Sequence, residues 1–261
     1  WANSAWSAII ITFIFSRYFV DVLVTNQDTG TLYWTWTIGL SSLVAAFLSP
    51  IFGSISDQSQ KSKIWLVYTT LIYAFIATSF WFAEPNKFNI ILIILLIFIG
   101  NISYEISQIF YNGQLKEITS ENNFAKLSGF AWGLGYVGTV VIFLIYYVLF
   151  LLPSNPIFAL DNSSYANIRI SFLLTGLWIV IFSLPLFFSF KDKSRGLVNS
   201  KINLKESFNQ IFRTFKELKK YKNILWFLIA RLFYMDGINA IFAVAAIYAT
   251  IVFGMSTSDI I

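Results

Sequence analysis

Ionisable and amide side chains are scarce in this chain, and several recur at helical spacing inside apolar runs. Asn101, Glu105, Gln108 and Asn112 fall at i, i+4, i+7 and i+11, on one face of a helix. In hydrocarbon such a stripe would stay unsatisfied, so it must face water or protein. Two chemistries fit it: a site that binds a polar solute or moves a proton, or a buried network that ties helices together. Arg17 and Asp21 lie one turn apart and either neutralise each other, act on a solute, or let Asp21 reach the outer interface. Asp236 sits mid-run, followed by Gly237 and Asn239, and Arg231 precedes it by five residues. A glycine there loosens a helix and exposes backbone, and bent helices near a membrane midplane mark binding sites. Arg231 either snorkels, pairs with an acid or faces the same site.

The elements that must carry these residues follow from composition. The 261 residues are 57% hydrophobic, 19% aromatic and only 12% charged. A soluble domain of this length runs at about 25% charged. Seven apolar runs are each long enough to cross a bilayer: about 2–24, 33–55, 64–83, 88–112, 127–152, 168–190 and 224–253. None alternates in the manner of a β-barrel strand. With odd-numbered helices running outward, the inner loops hold fourteen Lys and Arg and the outer loops only Lys87. The N-terminus is therefore expected in the cytoplasm. The pI of 9.3 then reflects topology rather than a nucleic-acid partner. No cysteine and no histidine is present, which removes disulfides, Ser-His triads, haem and thiolate- or imidazole-bound metals. No catalytic pair of acids stands in a loop. The chain reads as a non-enzyme without metal or cofactor.

Interior charge falls on the first, fourth and seventh spans, while the sixth has only Arg169 at its outer end. That period fits three-helix repeats whose equivalent helices line one central cavity. In the fifth span Gly129 and Gly133 are four apart, and Gly135 and Gly138 three apart, the spacing of close helix packing. Trp6, Trp34, Trp36, Trp65 and Trp81 lie near span ends, as an aromatic belt does. Residues 191–223 place Leu204, Phe208, Phe212, Phe215 and Leu218 at helical spacing against a basic face. They predict an amphipathic linker helix on the inner membrane surface.

The turn GSISDQSQKSK, with Gly53, Asp57, Lys61 and Lys63, resembles the loop between the second and third helices of the major facilitator superfamily. Gln58 stands where that pattern has a basic residue, and Gln60 where it has glycine. The segments WANSAW at 1–6, FYNGQLKEI at 110–118, SGFAWGLGYVG at 128–138 and FYMDGINAI at 233–241 are similar to the autophagy-related vacuole effluxer branch. The resemblance implies an all-α polytopic membrane protein of the major-facilitator bundle type, with seven transmembrane helices present of an expected twelve. It divides the chain into a six-helix bundle at 1–190, the basic linker at 191–223, and at 224–261 the first helix of a second bundle cut short. It implies a secondary transporter working by alternating access, with the loop charges holding one state of the cycle. Its partners would be the lipid bilayer, a small polar solute such as an amino acid moved by efflux, and protons; it would act as a monomer. If the source is prokaryotic, the membrane would be the inner one. Asn3, Glu105, Gln108, Asp236 and Asn239 are the expected cavity residues, with a carboxylate as proton carrier. The alternative is a receptor or scaffold that moves nothing, whose polar stripe would be satisfied internally with no cavity reaching it.

Overall fold

The computed structural model describes residues 1–24, 26–58, 62–151, 160, 164–189, 216–217 and 220–255, without the side chains of 54–58, 116, 117 and 121. The predicted linker helix lies outside the described residues almost entirely, as do Lys61 and the Asp57 side chain. Seven helices are long and apolar enough to cross a membrane: α1 (Trp6–Leu23), α2 (Gln27–Gln58), α3 (Ser62–Phe82), α4 (Ile90–Gly113), α5 (Phe124–Leu151), α6 (Ala166–Ser189) and α7 (Lys222–Phe253). The chain is a multi-pass helical membrane protein, and every described element is helical or a turn.

Helix ends follow local chemistry. Asn89 caps α4 by accepting from the Ile91 N–H at 2.8 Å. Gly254 closes α7 in the left-handed region at φ 64°. Several hydroxyls inside the spans bond back one turn, Ser16 to Thr12 and Thr175 to Ser171 among them, which keeps those donors satisfied within the helix. α1 is wide-wound over most of its length: the Ile14 N–H bonds the Ile9 oxygen at 3.2 Å and Val24 bonds Phe19 at 3.1 Å. Such π-type turns shift side chains out of α register. α7 runs unbroken through Gly237, so the expected loosening there does not occur.

α4 packs between α2 and α3, and α3 also packs on α6; α7 leans on α1 and α2. Two glycines not singled out by spacing make the closest approaches. A Cβ on Gly100 would stand 2.5 Å from the Trp6 ring, and one on Gly176 would stand 2.6 Å from the Ala74 carbonyl oxygen. Of the four glycines of α5, only Gly138 has a neighbour, the Trp1 ring at 3.1 Å; a Cβ on Gly129, Gly133 or Gly135 would meet open space. Those three therefore pack no helix among the described residues. Gly53 in α2 is likewise uncrowded.

The core is aromatic. Phe15 stacks on Phe80 at 4.1 Å and meets Phe172 edge-on at 4.9 Å. Trp6 and Trp34 are fully buried in it, which corrects their placing in an aromatic belt. Trp34 donates to the Ala243 oxygen of α7 at 2.9 Å, and Trp6 packs against Tyr73 and Tyr104. Position near a span end did not decide their surroundings, because neighbouring helices cover them there.

Candidate functional site

Five helices leave a cavity of about 500 Å³ at one end of the bundle. That end holds Trp1, the start of α3, the end of α4, the start of α5 and the end of α6, so alternate helix directions converge on it. The opposite end is tied by an ion-pair cluster. There Arg169 is buried and donates to the Trp81 oxygen at 2.6 Å, the Ser164 oxygen at 3.1 Å and Glu84 at 3.0 Å. Its guanidinium also lies 5.2 Å from the Trp81 ring centroid. Lys87 pairs with the same Glu84, and Tyr18 donates to the Ala83 oxygen at 2.6 Å. Hydrogen bonding by Lys87 holds the Glu84 carboxyl below its ordinary value; burial opposes this, and the charge of Arg169 adds to the lowering.

The cavity is built from helix faces. Before and within α1, Asn3, Ser4 and Ser7 reach it. Asn3 accepts from the Tyr73 hydroxyl at 2.8 Å, and Ser4 donates to the Trp1 oxygen at 2.7 Å, so both are held in place. Trp1 stacks on Trp178 at 5.8 Å. α4 contributes Tyr104, Gln108, Tyr111 and Asn112, at i, i+4, i+7 and i+8. α5 supplies Trp132, Tyr136 and Thr139, and α6 supplies Phe182 and Ser183. Among the described residues, the lining carries no charged side chain. It offers hydroxyls, three carboxamides and a set of aromatic rings.

The stripe on α4 is divided by this geometry. Asn101 is buried and donates to Ser41 at 2.8 Å, tying α4 to α2. Gln108 and Asn112 line the cavity. Glu105 is half-buried between the two, next to Tyr104, and forms no hydrogen bond or ion pair among the described residues. The four keep one face of the helix but stand at different heights along it, and α2 takes the Asn101 end while the cavity takes the other. Tyr104 was missed because it reads as aromatic filler, yet its spacing to Gln108 and Tyr111 was visible.

Other expected site residues stand elsewhere. Arg17 and Asp21 pair at 3.0 Å, and Gln27 donates to Asp21 at 3.1 Å. Both lie toward the far end of α1, outside the cavity. Arg231, Asp236 and Asn239 are exposed on α7 and do not line it. The cavity expected between the first, fourth and seventh spans is instead enclosed by α1, α3, α4, α5 and α6. α7 touches α1 and α2 mainly through Ala243, Ala246 and Ile247, beyond the stretch that carries those three polar residues. Among the described residues, no three acidic side chains gather into a metal-binding group.

A family model described as "Vacuole effluxer Atg22 like" matches residues 17–122 and 113–261. An uncharacterized MFS-type transporter of Bacillus subtilis (strain 168), YxiO, is 26% identical over 266 residues, covering 96% of this chain. The chain spans 58% of the length of that curated relative. No solved structure matches it. Seven spanning helices and a family match that runs through both α1 and α7 agree: the chain belongs to the vacuole effluxer Atg22-like family.

Proposed function

We propose that the protein carries a small polar solute across the membrane by alternating access, as a monomer. One observation carries this reading: a cavity with polar groups at one end of the bundle, while the other end is tied by the Arg169–Glu84 cluster. A scaffold has no need of such a space. The basic loops favour a cytoplasmic N-terminus, so this state would open inward. The six helices to residue 190 form one rocking unit, and α7 opens the second. Asp57, Lys61 and Lys63 lie in the sequence where α2 ends and α3 begins, where they would brace the inward side together with the turn that Gly53 precedes.

The family name supports export as the direction, and the resemblance of the sequence motifs makes amino acids the first cargo to try. Glu105 supports proton coupling, since it is half-buried and without a partner among the described residues. Asn3, Gln108 and Asn112 would hold the solute. Asp236, Arg231 and Asn239 would enter the site only when α7 moves relative to α1.

The test exploits the lack of cysteine in this chain. Ala131→Cys, in a full-length background without other cysteines, places one thiol on the cavity wall. Alternating access predicts labelling by a membrane-impermeant maleimide from each side of the membrane in turn. Labelling from one side only, under every condition, would leave a receptor or scaffold as the better reading.

A further inference from the structure

We propose that Tyr73 is the positioning residue of the solute site: from behind the cavity wall its hydroxyl fixes the Asn3 carboxamide, so that the amide N–H groups of Asn3 meet a hydrogen-bond acceptor on the solute. The proposal rests on the reading of this cavity as the solute site. Asn3 lines the cavity, and so does Thr70 of α3, whereas Tyr73 of the same helix does not. Tyr73 is fully buried. Its hydroxyl donates to Asn3 Oδ1 at 2.8 Å. Asn3 stands in a turn ahead of α1, and this bond ties that turn to α3. A carboxamide carries its carbonyl oxygen and its nitrogen on opposite sides of one carbon. With the oxygen held toward Tyr73, the nitrogen is turned the other way, and it has two hydrogens to donate.

The hydroxyl can fix Asn3 only if Tyr73 is itself fixed. Trp6 of α1 meets its ring edge-on at 5.5 Å, and Tyr104 of α4 does so at 5.7 Å. Trp6 in turn stacks on Tyr104 at 6.4 Å. It also lies against Gly100 of α4, where an added Cβ would stand 2.5 Å from the indole. Rings from three helices therefore lock one another, and a side chain locked by packing can hold a site residue in one geometry. Thr70 and Ser107, both buried, place their hydroxyls beside the Tyr73 oxygen. A group held in advance need not be ordered when the solute arrives, which lowers the cost of binding. Losing the bond should therefore weaken solute binding and leave the maximal rate of transport unchanged.

Tyr73→Phe keeps the ring contacts and removes only the hydroxyl, so packing and positioning separate. The first readout needs no solute. The full-length protein in lipid carries isotope-labelled asparagine, and the Asn3 side-chain amide resonance is assigned by its loss in Asn3→Ala. We expect that resonance to shift in Tyr73→Phe by more than its own width. The side-chain resonance of Asn101, held by Ser41, should stay in place. The second readout is counterflow of each standard amino acid, radiolabelled, in proteoliposomes. For those that move, Tyr73→Phe should raise the half-saturating concentration about tenfold at unchanged maximal rate. In an Asn3→Ala background it should add nothing, because a residue acting through Asn3 has no effect once Asn3 is gone. The proposal is overturned if the Asn3 resonance stays in place, or if Asn3 and Asn101 shift together. It is overturned equally if half-saturation is unchanged, or if the cost of Tyr73→Phe persists in full in Asn3→Ala. A Tyr73→Phe protein that does not fold would show that the hydroxyl holds the bundle rather than the site, and the proposal falls. If no amino acid moves, the two resonances decide alone. Labelling of the thiol at 131 from one side only would remove transport, yet leave the Tyr73–Asn3 bond to be judged by those resonances.

Discussion

At the scale of single residues, this chain separates polar groups that hold the fold from those left free to act. Asn101 sits on the same sequence stripe as Gln108, yet it is used up by Ser41. Arg17 and Asp21 satisfy each other at 3.0 Å. Arg169 is the most engaged charge: it binds two backbone carbonyls and Glu84, joining α6 to the turn between α3 and α4. Glu84 titrates below its ordinary value of 4.5 in the folded protein, chiefly through its hydrogen bond to Lys87 and then through Arg169. A carboxyl with a lowered folded pKa stabilises the fold above its unfolded value, and that stabilisation is lost as pH falls through the folded one. The melting temperature should therefore drop on acidification below 4.5. In Glu84→Gln the loss over that range should be smaller, with a lower plateau at neutral pH. Thermal unfolding in detergent as a function of pH measures both. An identical pH profile in the variant would show that Glu84 contributes nothing to the acid response.

At the scale of helices, tolerance to added volume depends on what faces each glycine rather than on glycine spacing. Gly176 of α6 lies against the backbone of α3, with the Ala74 carbonyl oxygen 2.6 Å from where a Cβ would stand. Backbone cannot yield as a flexible side chain does, so Gly176→Ala must separate two helices. It should lower the melting temperature and the yield of folded protein markedly. Gly133 of α5 faces open space, and alanine favours a helix over glycine by about 1 kcal/mol. Gly133→Ala should be neutral or slightly stabilising. Both are read by thermal unfolding of the purified protein. Equal destabilisation by the two substitutions would mean that α5 is covered in the whole protein by chain beyond the residues described.

At the scale of the molecule, one end is tied and the other holds the cavity. Tyr18, Ala83, Glu84 and Arg169 draw three connections together at the tied end. Trp34 fixes α7 to α2 through the Ala243 oxygen, while Arg231 and Asp236 stand exposed earlier on the same helix. Under the proposed proton coupling, solute flux in proteoliposomes should respond to a pH gradient. Glu105→Gln should abolish that response while leaving downhill exchange, because an amide cannot release a proton. Asp236→Asn provides the contrast. If the gradient effect survives Glu105→Gln and disappears with Asp236→Asn, the proton carrier lies on α7.

Much of this was readable from residue order, for definite reasons. A spanning helix must satisfy its backbone internally and be apolar over its length, so the seven spans follow from hydropathy alone, to within a few residues at most ends. α2 is the exception: it begins at Gln27 rather than 33, since capping at an interface is not a matter of hydropathy. Family membership was also legible, because short motifs such as SGFAWGLGYVG and FYMDGINAI keep their order along the chain. The partners of each polar face were not legible. Helical spacing says that Asn101 and Gln108 share a side of α4, but only packing decides that α2 consumes the first and a cavity receives the second. Likewise the period of charges on the first, fourth and seventh spans suggested one shared cavity, whereas α7 meets α1 beyond its polar stretch. Sequence determines what each helix must bury; which neighbour buries it, and what space is left between them, is a property of the assembled bundle.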